Sequence, residues 1–281
     1  MELKLKQLQL PPLNRKRKSE DDFWDDLIKG GNELNATLVE CLKHSPINEL
    51  TPIHKAVLMG QIVRLYKLFD TFLFLICDHR MEVSMIIARS ICDTALDILY
   101  FLNDDTDTRL DEYITTSLAT SKKIYEEIKE DEIHGKGDSA TRERIKKSIE
   151  DDFEISRLSL SDIQSTKWRR KDDVRTKAKD LNLEGLYVFL YKSLSRTVHG
   201  NWTELIKYHL KIVGNTWSAN PDYAVPRPQL MTSLPLLIAI AGRSYSEDVI
   251  MNEVISKRFE IIIEWFEEIS KKLVKFLSSD S

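Results

Sequence analysis

Two short stretches hold the residue types that can do chemistry. The first is ARSICDTALD, in which Arg89 and Asp93 stand four residues apart. That spacing puts both on one face of a helix, and the surrounding residues are largely apolar. An unpaired ion in such a setting is strongly destabilising, so an Arg89–Asp93 pair is expected, with Asp97 extending the stripe by one turn. The pair reads first as a structural lock on helix register, and second as a polar pocket inside a helical bundle.

The second stretch is YKSLSRTVHGNW, Tyr191 to Trp202. An α-helix turns about 100° per residue. Leu183, Leu186, Tyr187, Leu190, Leu194 and Val198 make its apolar stripe. With Val198 as the centre, Tyr191 lies about 20° away, Ser195 about 60° and His199 about 100°. These three form a polar-tipped column on one flank. Arg196, about 160° round, faces solvent or a partner chain. In an enzyme, His199 would act as general acid or base, beside Ser195. Arg196 or Arg89 would then stabilise a phosphorane-like charge. A helix terminus explains much of the same pattern. Gly200 stands where a helix-ending glycine belongs, and the dipole favours a protonated His199 in the last turn. Asn201 and Glu204 resemble a capping box for the next helix.

Other chemistries lack their signatures. Ser195 and His199 come without a GxSxG elbow or an oxyanion-hole glycine motif. His199 and His209 are ten apart with no HExxH, so no metal site is expected. Neither a P-loop nor GxGxxG occurs, and no cofactor is expected. A basic run with one aromatic, Trp168, Arg169, Arg170 and Lys171, is the candidate nucleic-acid-binding segment: the cations would hold phosphates and the indole would stack a base.

The elements that must position these residues read as helices almost throughout. Glycine numbers nine, there is no Asn-Gly or Asp-Gly, and strict alternation is missing. The expected fold is an all-α, up-and-down helical bundle with a central buried helix hairpin and a long C-terminal amphipathic helix. Residues 1–18 read as a flexible basic tail, with RKRK at 15–18 solvated. Residues 19–281 read as a single helical domain. Ser19 caps a first helix running to about Lys43, bent at Gly30-Gly31. Thr51-Pro52 starts the next. The segments 53–77 and 81–102 are apolar almost all round and form the central hairpin. Residues 104–130 are amphipathic with Leu110, Tyr113, Ile114, Leu118, Ile124 and Ile128 inward, and the charged segment at about 131–165 protrudes. Pro221, Pro226 and Pro228 mark an irregular crossing. The last helix begins near Ser246 and carries a seam of Ile255, Phe259, Ile262, Phe266, Ile269, Leu273 and Phe276. Antiparallel packing in the bundle is preferred to a homodimeric coiled coil.

The net charge of −4 gives no global field for nucleic acid, so RNA would need a local patch. Three cysteines, an odd number without CxxC, fit reduced thiols. The apolar runs are too short to span a bilayer, and the amino-terminal residues lack a signal-peptide core. A cytoplasmic location without membrane contact is expected.

Together, the ARSICDTALDILYFL helix, Trp168 with its charged neighbours, and LEGLYVFLYKSLSRTVHG resemble a bacterial all-helical family, the domain of unknown function numbered 5677. The pattern falls on Arg89, Ser90, Asp93, Thr94, Trp168, Tyr187 or Tyr191, Ser195, His199 and Gly200, across roughly residues 50–210. The family's acidic residue is usually Glu, here Asp93, and the segment 131–165 is longer than its pattern suggests. The resemblance implies that the Arg89–Asp93 and Ser195–His199 groups come together. The architecture is also similar to HEPN-type domains, many of which are RNA-cleaving toxins or antiviral effectors. Those space Arg and His by four to six residues at a dimer cleft, whereas only Thr197 and Val198 separate Arg196 from His199. The resulting expectation is a binding or accessory protein, in a defence or toxin–antitoxin setting. The alternative is a metal-independent ribonuclease. RNA, a partner protein and a second copy of the chain are the expected partners.

Overall fold

The computed structural model describes residues 7–134, 139–163 and 173–279. Among the described residues the fold is all-α apart from one small hairpin. In order, the elements are α1 (Glu20–Cys41), α2 (Pro52–Cys77), α3 (Met81–Asn103), α4 (Thr106–Ile133), α5 (Ser139–Ile155), α6 (Val174–Asp180), α7 (Glu184–Leu186), a π turn (Tyr187–Tyr191), α8 (Lys192–Val198), α9 (Trp202–Glu204), a second π turn (Leu205–His209), β1 (Leu210–Val213), β2 (Thr216–Ala219), α10 (Leu230–Asp248) and α11 (Glu253–Ser279). They divide into two compact units. One comprises Met1–Glu49, Leu58–Asn103 and Val174–Ser281; the other comprises Leu50–Val57 and Asp104–Asp173.

The core of the first unit draws on α2, whose Leu58, Ile62, Leu65, Phe69, Phe72 and Ile76 are buried, and on α3, α10 and α11, with α1 against the last two. The expected seam of α11 is present: Ile255, Phe259, Ile262, Phe266, Ile269 and Leu273 are buried. It packs on α10 as an antiparallel hairpin, which is why no second chain is needed to cover it. The helix expected from near Ser246 is in fact two. α10 ends at Asp248, Met251 takes φ +49°, and α11 begins at Glu253. Pro235 lies inside α10 and is itself buried, so burial outweighs the amide hydrogen bond that proline cannot donate.

α1 runs unbroken through the Gly30-Gly31 pair to Cys41. A Cβ at Gly30 would run into the Trp265 ring, and one at Gly242 into Phe259. These glycines let helix backbones approach closely. Ser19 caps α1 as expected, its Oγ accepting the Asp22 amide at 3.3 Å.

The basic run at the amino end, expected as a flexible solvated tail, is clamped onto α1. Arg17 donates through Nε to Asp26 Oδ2 at 2.9 Å, Arg15 pairs with the other oxygen, and the Trp265 indole donates to the Pro11 carbonyl at 2.8 Å. Cys41 and Cys92 are free and buried, and burial pushes each thiol up to about 12. Cys77 is free and exposed.

The second unit has its own apolar cluster: Ile114, Leu118 and Tyr125 from α4, Ile149 and Phe153 from α5, and Ile163 beyond it. Leu110, Ile114 and Leu118 point inward as expected, but Ile124 is exposed and its neighbour Tyr125 is buried instead, with its hydroxyl donating to Glu150 at 2.7 Å. The charged segment after residue 131 thus contributes a helix and part of a core. His54 lies between Asp107 and Asp111, each 2.8 Å from one ring nitrogen.

The hairpin β1–β2 pairs Val213 with Thr216 across a two-residue loop, Gly214-Asn215, in which Gly214 takes φ +62°. Gly-Asn is itself a hairpin signal; a search limited to Asn-Gly and Asp-Gly passes over it.

Candidate functional site

The site is centred on Arg89, on the face of α3 that packs against α8. The guanidinium makes three contacts. Nε donates to Ser195 Oγ at 2.9 Å, Nη1 pairs with Asp93, and Cζ lies 3.5 Å from the centre of the Tyr191 ring. The fixed fork of the arginine explains this combination: its donors lie in one plane while its face stacks on an aromatic ring. Tyr191 is itself stacked on Tyr187, centroids 5.2 Å apart. Both tyrosines matched to the family pattern therefore belong to the cluster.

The stripe along α3 continues. Asp97, one turn beyond Asp93, pairs with Lys177 of α6, whose side chain is buried and lies 5.3 Å from the Tyr100 ring. Thr94 accepts a hydrogen bond from Arg64 Nε at 3.1 Å and donates to the Ser90 carbonyl at 2.9 Å. One face of α3 thus ties down α8 through Arg89 and α6 through Asp97.

Asp93 sits at the edge of the cluster, with its side chain 41% exposed. Burial holds its carboxyl above the usual carboxylate range, and the Arg89 guanidinium pulls it back down. An acid with these two opposed influences can hold a proton or an arginine. Neither influence makes it a nucleophile.

His199 is not part of this cluster. It is the C-cap of α8 and is exposed, followed by Gly200 at φ +53°. Among the described residues, no side-chain hydrogen bond or ion pair joins it to Arg89, Asp93 or Ser195. The column expected from Tyr191, Ser195 and His199 therefore delivers its first two members to Arg89 and leaves the third in solvent. Arg196 is exposed as well, consistent with its place on the far side of the helix.

The apolar stripe of this helix also shifts. Leu190, Leu194 and Thr197 are buried while Val198 is exposed. The stripe also crosses a π turn over Tyr187–Tyr191, where the Lys192 amide bonds the Tyr187 carbonyl five residues back. A count at 3.6 residues per turn cannot be carried through it.

Asn201 caps α9 as the sequence suggested, its side-chain oxygen accepting the Glu204 amide at 3.1 Å. The Glu204 carboxylate, buried, reaches forward to His209 Nε2 at 2.9 Å. The nucleic-acid candidates Trp168, Arg169, Arg170 and Lys171 lie outside the described residues. Among the described residues there is no group of His, Cys, Asp and Glu arranged to hold a metal, and no helix long and apolar enough to cross a membrane.

Sequence reasoning passed over Lys177 and Arg64. Lys177 had no signal of its own, being one lysine among the charged residues of α6. Arg64 had none either, because its partner is a threonine hydroxyl on another helix.

The model of a family of unknown function, DUF5677, matches residues 55–213, more than half of the chain. The match runs from α2 to β1 and takes in Arg89, Asp93, Lys177, Ser195 and His199, while α1, α10 and α11 fall outside it. No curated protein and no solved structure gives a match.

Proposed function

We propose, for a chain that belongs to the DUF5677 family of unknown function, that it works by binding rather than by catalysis, and that the Arg89 cluster is the lock that holds its binding surface in shape. The observation that carries this reading is the use of the guanidinium. Its contacts go to Asp93, Ser195 and the Tyr191 face, all within the chain. A guanidinium whose Nε and Nη1 already hold a hydroxyl and a carboxylate, and whose face lies on a ring, has fewer donors left to meet a developing charge on a substrate. The cluster also joins residues 106 apart in sequence, Arg89 and Ser195, which is what a lock between distant segments does. The setting in defence or a toxin–antitoxin pair, with RNA, a partner protein or a second copy as partner, is proposed on the sequence resemblance to HEPN-type domains alone.

A ribonuclease is the second reading, and one observation favours it. His199 and Arg196 are both exposed at the end of α8, open to a substrate or to another copy of the chain. Expression in growing cells, wild type beside His199→Ala, with total RNA examined for integrity, separates the two. Binding predicts intact RNA in both cultures. RNA loss in the wild type that disappears in His199→Ala establishes the ribonuclease instead.

A further inference from the structure

A cavity of about 630 Å³ opens beside the locked helix. Its size falls in the range of small-molecule sites, roughly 300–1,000 Å³. Met81, Met85, Leu186, Leu190, Leu194 and Leu230 supply an apolar wall from α3, α7, the first π turn, α8 and α10. A neighbouring hollow of about 330 Å³ shares Met81, Lys207, Tyr208 and Arg227 with it. Two cations therefore stand where the two spaces adjoin. None of the described lining residues of either space is acidic. Glu82, next to Met81, uses one oxygen to hold the Ala224 amide at 2.9 Å, and its other oxygen is buried without a partner among the described residues.

A second, independent feature points to the same place. Both π turns of the described chain wall this cavity: Leu190 comes from the first, Lys207 and Tyr208 from the second. A π turn forgoes regular helical hydrogen bonding, and such turns recur at functional sites. Here each one turns side chains into the same space. Methionine adds a surface that adapts to flexible apolar ligands, and Met81 and Met85 line one side.

We infer that this cavity binds a small amphipathic anion, an acyl chain with a single negatively charged head. The chain would lie along Met85, Leu190 and Leu194, and the head would meet Lys207 and Arg227. Charge complementarity selects this occupant: an apolar bed with two cations and no carboxylate among its described lining residues favours an anion over a neutral or cationic molecule of equal length. The inference rests on the binding reading above and gives it a ligand class. Arg89 serves it indirectly, by fixing the helix that forms one wall.

The test is calorimetric titration of the full chain with dodecanoate and with dodecyl phosphate, each below its micelle concentration. Dodecanol and dodecyltrimethylammonium serve as controls. Saturable binding of at least one anion is expected, about tenfold or more tighter than the cationic analogue. The relative affinity of the two anions identifies the head group. Lys207→Ala/Arg227→Ala should weaken the anions by about tenfold and leave dodecanol nearly unchanged. Ser233→Trp and Ser193→Phe place bulk at exposed lining positions, and each should abolish binding; if one fails to fold, the other decides. The inference is overturned if neither anion binds, if the cationic analogue binds as well, or if both filling variants bind like the wild type. A wild type that cleaves RNA yet takes up the anion would remove the binding reading and keep the ligand; intact RNA with a flat titration would do the reverse.

Discussion

Arg17–Asp26 and Arg89–Asp93 are both arginine–aspartate pairs of the first unit, and they differ in what surrounds them. Asp26 is 0% exposed and the Arg17 side chain 3%, and a second arginine, Arg15, shares the carboxylate. In the other pair the side chains are 18% and 41% exposed. In the first, water has been removed and each ion depends on the other. In the second, solvent still supports the carboxylate, and the arginine divides itself among an acid, a hydroxyl and a ring. Breaking the first pair strands a buried charge, whereas the second orients a helix at modest energetic cost. A charge pair that looks catalytic by its setting in sequence is thus the less critical of the two for stability.

That contrast breaks most readily at Asp26. Asp26→Ala should cost about 3–5 kcal/mol, because Arg17 is left buried without its partner. Denaturant unfolding with the slope unchanged is the measurement. Replacing both members, Arg17→Met with Asp26→Leu, should recover most of the loss. A loss below about 1 kcal/mol for Asp26→Ala would put this pair in the class of exposed ones.

The same contrast explains what could be read from the residues alone. Periodicity revealed the helices, the caps at Ser19 and Asn201 and the seam of α11, because each depends on neighbours within a turn or two. Arg89 and Asp93 were legible as a pair because a charge in an apolar helix demands a partner, whereas Ser195 was joined to them only through the family resemblance. The Arg17–Asp26 clamp was not, since RKRK in a polar stretch has no pattern that separates a bound tail from a solvated one. Nor was the exposure of His199 or Val198. Both stand at the carboxyl end of α8, where packing around the helix terminus decides exposure and leaves no periodic trace. Lys207 and Arg227 belong to a cavity assembled from segments far apart in the chain, beyond the reach of any local count.

Next in size is Arg89→Met. Losing the Ser195 hydrogen bond and a half-exposed ion pair should cost about 1–2 kcal/mol. The sharper readout is Asp93. Its carboxyl already titrates above the ordinary value of 3.8, with burial raising it and Arg89 lowering it. Removing Arg89 should move it further up, and carbon NMR of the side chain can follow it. The sign for stability is fixed by linkage. An acid with a raised native pKa binds its proton more tightly when folded, so its ionisation subtracts stability as pH rises from 3.8 through the raised value. In Arg89→Met that loss should grow and extend to higher pH. An Asp93 titration unmoved by Arg89→Met would mean that the two do not interact in solution.

The smallest effect is expected at His199, and its smallness is informative. The side chain is exposed at a helix end, and the Gly200 turn that follows it is made by backbone groups, with the Gly200 amide bonding the Thr197 carbonyl at 3.3 Å. His199→Ala should change stability by less than about 0.5 kcal/mol, as for other surface substitutions away from specific contacts. A charged imidazole near the carboxyl end of a helix contributes about 0.3–1 kcal/mol at most when exposed and at low salt, so the difference between wild type and variant should shrink further as salt is added. A loss of about 2 kcal/mol or more that persists at high salt would mean that His199 is held by a partner after all, and would return it to the Arg89 cluster. With the fold unaffected, any phenotype of His199→Ala can be assigned to what the exposed ring does to another molecule, which is the condition under which the RNA experiment can be read.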